Sequence, residues 1–330
     1  MKIGILDDYL HVSPQLADWS GLMARAEVVV LDRPLSLDEA AQTLKNFEIL
    51  CTLRERQPFP RALLENLPRL RHLCVTGKRY DTVDVAAAAE MGIQVSNTPI
   101  AGAGAGAVTE LTWGLMLALT RHIAAEDRLM REGGWQHFVG SSLRGKQLGI
   151  VGLGGIGADV ARIGLAFGMD VTAWSPNLTP QRAHAAGVRA VAKAELFRSS
   201  DLITLHLALS ETTRGVVGAH EIAAMKPSAG IVNTARAGLL DEDALIAALV
   251  ERRIGGAALD VYSIEPLPRD HPLRTLPNTV LTPHLGYCTR EMLAAYYGYA
   301  VENITAFLDG APIRIVSPPP IASGRNVHLT

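Results

Sequence analysis

Four segments in the second half of the chain carry reactive side chains just where short apolar runs end. They are Asn233-Thr234-Ala235-Arg236, Leu259-Asp260-Val261-Tyr262, Ile264-Glu265-Pro266 and Leu281-Thr282-Pro283-His284. An arginine pairs with a carboxylate through two parallel N–H donors, and a histidine can give or take a hydroxyl proton near neutral pH. A glutamate beside that histidine would keep the ring charged and oriented by Coulomb attraction and hydrogen bonding. Arg236, Asp260, Glu265 and His284 together therefore fit chemistry on a hydroxy acid or a keto acid. Taken singly, each has an ordinary role: a surface ion pair for Arg236, a turn before proline for Glu265, a loop histidine for His284, a turn cap for Asp260. The joint reading is favoured because all four fall at strand ends of one unit.

That unit opens with the apolar run Gln147-Leu148-Gly149-Ile150-Val151, which leads into Gly152-Leu153-Gly154-Gly155-Ile156-Gly157 and a helical stretch over residues 158–167. The G-x-G-x-x-G spacing alone is weak in a chain with 30 glycines. Strand, tight turn and helix in that order are the setting of a dinucleotide-binding turn. Gly152 permits the sharp turn, Gly154 lets backbone amides approach a pyrophosphate, and Gly157 lets helix and strand pack closely. Gly155 and Ile156, within the turn, are further cofactor-binding candidates, and the N-terminal partial positive charge of the helix that follows favours an anion.

Strands are expected over residues 148–151, 171–174, 202–206, 231–233, 257–261 and 280–281 of this unit. An earlier unit has apolar runs at 3–6, 28–31, 49–53, 70–75 and 93–95, separated by helical segments such as 36–46 and 85–91. This alternation predicts an α/β protein of two Rossmann-like or flavodoxin-like parallel-sheet domains with a cleft between them. In such sheets the C-terminal strand ends face the ligand crevice. Near Asn97-Thr98-Pro99 the rhythm changes to one long helix over about residues 106–132, with Leu111, Leu115, Ala118 and Leu119 on its apolar face, ending at Gly133-Gly134-Trp135. A closing helix over about residues 289–308 precedes Pro318-Pro319-Pro320. The expected division is a substrate domain of residues 1–98 plus 287–330 and a dinucleotide-binding domain of residues 99–286, with hinges near Thr98 and Leu285.

Composition is consistent with this plan. A chain of 330 residues is long for one core, and 48% apolar with 19% charged residues is ordinary for a globular protein. A net charge of −2 with scattered arginines offers no electrostatic case for nucleic acid or an anionic membrane. The small-apolar region over residues 98–119 contains Glu110 and several Gly and Thr, and reads as a buried helix rather than a membrane span. Cys51, Cys74 and Cys288 lack metal-ligand spacing and cannot all pair, so reduced thiols and no metal are expected. The chain opens directly on a strand without a signal peptide, and a cytoplasmic location is expected.

The chain resembles the D-isomer-specific 2-hydroxyacid dehydrogenases over nearly its whole length. The resemblance rests on Gly152 to Gly157, Asn233-Thr234-Ala235-Arg236 with Asp241-Glu242-Asp243-Ala244-Leu245, Leu259-Asp260-Val261 with Glu265-Pro266, and Thr282-Pro283-His284. It implies hydride transfer between NAD(P)H and a 2-keto acid or D-2-hydroxy acid, of the glyoxylate or hydroxypyruvate type or bulkier. Arg236 would bind the substrate carboxylate and carbonyl, Glu265 would orient His284, and His284 would be the acid/base. Asp260 would hold the nicotinamide carboxamide, with Thr234 and Ala235 nearby, while His206 lines the cofactor site or is structural. The loop Thr76-Gly77-Lys78-Arg79-Tyr80-Asp81 matches the family's S-x-G-V-G-x-D pattern. That makes Gly77, Lys78 and Arg79 substrate-binding, through the amides of Lys78 and Arg79. Arg79 stands where a second glycine is usual.

Other departures are Ala237 after the arginine, Ser263 in place of a common acid, and Tyr287 in place of a small residue. Tyr80, Tyr287 and Trp135 are candidates to shape a pocket. The resemblance also implies a homodimer that exchanges the helix of residues 106–135 and the loop after it. NAD-specific members place an Asp at the end of the second strand to bind the ribose hydroxyls. Here that place is Ser175, 18 positions after Gly157, and no carboxylate follows before Arg182. The cofactor is thus NAD or NADP, with NADPH expected to serve at least as well as NADH. Glu265 sets the chain apart from formate dehydrogenases, similar proteins with a neutral amide partner for the histidine. The alternative is an NAD(H)-sensing binding protein on the same fold.

Overall fold

A computed structural model describes residues 1–99 and 106–316. The chain falls into two compact units, Met1–Ala105 with Thr289–Thr330, and Gly106–Cys288.

The first unit is built on strands β1 (Lys2–Ile5), β2 (Glu27–Val30), β3 (Ile49–Thr52), β4 (His72–Val75) and β5 (Gln94–Asn97). They form one parallel sheet in the order β2-β1-β3-β4-β5. Every residue of β3 and β4 is buried, as befits central parallel strands covered on both faces. Leu44, Phe47, Leu50, Leu64 and Leu73 belong to its core, and Tyr296 and Tyr297 of helix Arg290–Leu308 are also buried. The expected closing helix begins with Thr289 as its cap, because the Thr289 hydroxyl accepts the Met292 N–H. Helix Leu37–Leu44 starts at a capping box between Ser36 and Glu39. Thr52 lies in register with Val75, so the loops leaving β3 and β4 emerge side by side.

The second unit holds β6 (Gln147–Val151), β7 (Asp170–Trp174), β8 (Arg189–Ala190), β9 (Leu202–Leu205), β10 (Gly230–Asn233), β11 (Gly256–Leu259) and β12 (Thr279–Leu281). All pairings are parallel, in the order β12-β11-β10-β9-β6-β7-β8. The chain starts inside the sheet at β6, winds out through β7 and β8, then crosses to β9 and winds the other way. The reversal between β6 and β9 is the topological switch point at which doubly wound sheets take ligands. Strand residues alternate between two cores. Val151, Ile203, Leu205, Ile231 and Leu259 enter one, and Ile150, Leu202, Val232 and Ala258 enter the other.

The single helix expected over residues 106–132 is instead two helices, Ala107–Arg121 and Ile123–Arg131, separated by His122 in a left-handed conformation with φ 55°. The apolar positions that suggested one long helix serve only the first, which buries Trp113, Leu115 and Met116. The second buries nothing, so no packing constrains it to continue the first axis. Strand β8 is absent from the sequence reading because its two residues are exposed and carry no apolar signal. Among the described residues, no helix is long and apolar enough to cross a membrane.

Candidate active site

The second unit lines up its chemical residues along one edge of the sheet. Ser175 follows β7, Gly152 follows β6, His206 follows β9, Arg236 follows β10, Asp260 follows β11 and His284 follows β12. Every one lies past a C-terminal strand end. Because the strands are parallel and in register, the order across the sheet brings together residues more than a hundred positions apart in the chain.

The glycine turn is open on one side and tight on the other. Gly152 has φ +105°, and a Cβ there would lie 2.7 Å from the backbone of His206 and Leu207. A Cβ on Gly157 would lie 2.1 Å from the Gly152 carbonyl oxygen, so helix Gly155–Ala166 can approach β6 only through glycine. At Gly154 and Gly155 a Cβ would meet nothing within 4 Å, and no side chain caps the helix. Backbone N–H donors at an uncapped helix start, with clear space before them, fit a pyrophosphate. The side chain of Ile156 is 38% exposed beside them.

Around this turn the cofactor candidates differ in what they can offer. His206 Nε2 lies 2.9 Å from Thr204 Oγ1, and burial pushes its pKa down to about 4, so the ring is neutral at pH 7. Thr112 donates to the Val108 carbonyl at 2.7 Å. Its oxygen therefore accepts the Thr234 hydroxyl, 2.8 Å away, and the Thr234 side chain is spent on helix Ala107–Arg121. Asn233 locks the next turn, accepting the Ala235 N–H and donating to the Arg236 carbonyl, both at 3.0 Å. Arg236 is half-buried, with Nη1 2.8 Å from the Ala235 carbonyl.

His284 and Glu265 meet directly. His284 Nδ1 lies 2.6 Å from Glu265 Oε2, and Glu265 Oε1 accepts the Tyr262 N–H at 3.0 Å. The His284 ring stands edge-on to Tyr287 at 5.8 Å. Asp260 is fully buried, and both its oxygens accept hydrogen bonds from the loop that carries His284. A carboxylate-oriented imidazole at the crevice edge of a dinucleotide-binding sheet is equipped to move a proton while an adjacent cofactor reacts.

The D-isomer specific 2-hydroxyacid dehydrogenase NAD-binding domain matches residues 113–286, a span that contains the glycine turn, Arg236, Asp260, Glu265 and His284. The chain belongs to the D-isomer specific 2-hydroxyacid dehydrogenases. It is 33% identical over 327 residues to a hydroxypyruvate reductase of Blautia hydrogenotrophica, covering 96% of this chain and 100% of that one. A D-3-phosphoglycerate dehydrogenase of Methanocaldococcus jannaschii is 40% identical over 279 residues, 84% of this chain and 52% of the relative. The chain thus spans about half the length of that relative. The crystal structure of a phosphoglycerate oxidoreductase from Vibrio cholerae superposes with a TM-score of 0.88 at 37% identity, covering 94% of this chain and 100% of that one. A 2-hydroxyacid dehydrogenase with this domain takes a nicotinamide cofactor.

The loop of this dehydrogenase that was expected to bind substrate lies in the first unit, after β4. Gly77 has φ +89°, and a Cβ there would lie 2.7 Å from Arg54 Nη1. Its N–H donates to Thr98 Oγ1 at 2.7 Å, so of the three residues expected to bind an acid, Gly77 shapes the loop and the amides of Lys78 and Arg79 are those to consider. Lys78 is exposed and its carbonyl accepts from Asn97 Nδ2 at 3.2 Å. Arg79 Nε lies 3.8 Å from Asp81. Of the aromatic candidates, Tyr287 is buried, Tyr80 is half-buried and Trp135 is 73% exposed.

The sequence reading gave no role to Tyr262. Its hydroxyl reaches the carbonyls of Leu259 and Thr282, both at 2.9 Å, and so bridges the ends of β11 and β12. A buried tyrosine in a strand-end segment needs a partner for its hydroxyl, and that was the one available hint. Arg182 follows Thr179, the cap of helix Pro180–Ala185. Its guanidinium reaches the Asn177 carbonyl at 3.2 Å and the Leu153 carbonyl of the glycine turn at 3.4 Å.

Proposed function

We propose that this dehydrogenase reduces a 2-keto acid to the D-2-hydroxy acid, and catalyses the reverse, with a substrate of the glyoxylate or hydroxypyruvate type or a bulkier keto acid. The observation that carries this reading is the 2.6 Å contact between His284 Nδ1 and Glu265 Oε2, in the same unit as an uncapped glycine turn. With Nδ1 committed to the carboxylate, Nε2 is the ring atom that exchanges a proton with substrate. His284 gives that proton to the carbonyl oxygen as the hydroxyl forms and takes it back in the oxidation. Glu265 fixes the ring's orientation through its contact with Nδ1. Arg236 holds the substrate carboxylate through its planar fork; the amides of Lys78 and Arg79 are also proposed as carboxylate-binding donors.

The second unit would hold the dinucleotide, with its pyrophosphate on the amides at Gly154, Gly155, Ile156 and Gly157. Gly152, His206, Thr234 and Ala235 would shape the floor beneath it. When bound, the nicotinamide supplies or accepts the hydride, and the protein positions the reactants and moves the proton. We infer that NADPH serves at least as well as NADH. Ser175 replaces the carboxylate that would repel a 2′-phosphate, and the Arg182 guanidinium reaches the glycine turn. A homodimer is also proposed. Trp135, Phe138 and Val139, which follow helix Ile123–Arg131, are 73%, 48% and 95% exposed and suit burial against a second copy. Light scattering of the full chain tests the dimer.

The test of function is a panel of glyoxylate, hydroxypyruvate and bulkier 2-keto acids, followed by loss of NADH or NADPH absorbance. Turnover is expected with at least one acid, and His284→Ala should lower kcat by about 10²–10⁴ while cofactor affinity holds. No turnover with any keto acid, despite intact NADH binding, would reject the enzyme reading in favour of a nucleotide-sensing protein.

A further inference from the structure

Asp260 is the most constrained carboxylate in the second unit. It is 0% exposed and stands one residue past β11, while Thr282 stands one residue past β12. Asp260 Oδ1 accepts the Thr282 hydroxyl and the Leu285 N–H, each at 2.7 Å, and Oδ2 accepts the Gly286 N–H at 2.9 Å. These three bonds tie one strand end to the loop leaving the next, on both sides of His284. Within that loop His284 has φ 55° and its N–H reaches the Thr282 carbonyl at 3.0 Å. A left-handed conformation at a residue other than glycine persists only where its surroundings hold it. Here Asp260 binds the residue two before His284 and the two residues after it.

The Gly286 amide is buried and needs an acceptor, the Leu285 amide turns to the same carboxylate, and a carboxylate takes several donors where a carboxamide takes fewer. Gly286 is fitted to it as well, since a Cβ there would lie 3.3 Å from Asp260 Oδ2 and 3.4 Å from Val108. Burial pushes the Asp260 carboxyl upward, against these hydrogen bonds, which favour the ionised form. The family resemblance assigns this aspartate to the nicotinamide carboxamide; its protein contacts are with the loop.

We propose that Asp260 is a positioning residue whose carboxylate, with the Thr282 hydroxyl, fixes the left-handed backbone of His284 and thereby aims the ring that meets Glu265. The proposal rests on His284 being the acid/base. An ångström of misplacement at a reacting group can cost about 10²-fold in rate, so the clamp acts on turnover rather than on cofactor binding.

The experiment compares Asp260→Asn, Thr282→Val and Thr282→Ser in the full chain. Melting temperatures are taken alongside, NADH and NADPH affinities are read from cofactor fluorescence, and kcat and KM are measured with the best keto acid of the panel. In Asp260→Asn the carboxamide nitrogen must face one of the loop N–H donors, so one bond is lost and a donor opposes a donor. Expected are a kcat lowered by roughly 10–100-fold, cofactor affinities within about threefold of wild type, a smaller kcat loss of the same kind in Thr282→Val, and rescue in Thr282→Ser. Should Asp260→Asn fail to fold, the Thr282 pair decides by the same criteria. A cofactor affinity weakened tenfold with kcat retained would overturn the proposal and make Asp260 a cofactor ligand. Wild-type kcat in Asp260→Asn or Thr282→Val alongside an inactive His284→Ala would also overturn it. An active His284→Ala would instead remove the acid/base reading beneath it.

Discussion

Replacing Glu265 by glutamine probes the acid/base pair most directly, because the side chain keeps its shape and loses only its charge. In the native loop the two carboxylate oxygens are divided, Oε1 to the Tyr262 N–H at 3.0 Å and Oε2 to His284 Nδ1 at 2.6 Å. Glutamine has one acceptor oxygen, so its NH2 must face either the Tyr262 amide or the ring N–H. A hydrogen bond to a charged partner contributes about 1.5–3 kcal/mol. The His284 and Glu265 side chains are 25% and 32% exposed, so solvent screening places the loss toward the lower half of that range. About 1.5–2 kcal/mol taken from the step in which the ring carries the proton lowers kcat by about 10–30-fold. Cofactor affinity should be unchanged. Steady-state reduction kinetics and cofactor fluorescence read the two quantities. A kcat within twofold of wild type would show that Glu265 is an ordinary loop residue.

Three further outcomes are expected. Arg236→Lys keeps the charge but not the fork, so substrate KM should rise by roughly 10–100-fold, and unchanged kinetics would remove Arg236 from carboxylate binding. Discrimination between NADPH and NADH in kcat/KM should stay below about tenfold, or roughly 1.4 kcal/mol. Arg182→Ala should cost NADPH about fivefold and NADH almost nothing, and a hundredfold wild-type preference for NADH would refute the reading of Ser175. Asp7 is held by burial at about 6 instead of 3.8, and among the described residues its Oδ2 has no hydrogen-bond partner. A carboxyl whose folded pKa lies above its unfolded one contributes stability below pH 3.8 that is lost as pH rises through 6. Asp7→Asn should accordingly raise stability by about 1–3 kcal/mol at pH 8 and by almost nothing at pH 4. Equal shifts in denaturant midpoint at the two pH values would contradict this.

The amino-acid sequence by itself determined the features that are local in the chain. The turn Gly152 to Gly157 is legible because tight turning and close helix approach demand glycine at fixed spacing, and the structure shows backbone within 3 Å of where side chains would stand. The α/β class is legible because buried parallel strands are short apolar runs, and Arg236, Asp260, Glu265 and His284 stand out because polar residues at the ends of such runs are unusual. The helices expected from about residues 36, 85 and 289 begin at the caps Ser36, Asp84 and Thr289.

Other features only the tertiary structure decided. The break at His122 depends on which helix the sheet buries, and β8 exists through its pairing with β7. The Asp260 carboxylate is committed to residues 22, 25 and 26 positions away, and Tyr262 bridges to a carbonyl 20 positions away. These partners are set by parallel register, which brings the ends of β11 and β12 together. No local pattern encodes that register, because each strand is defined by its own apolar run while its neighbours are chosen by the packing of the whole sheet.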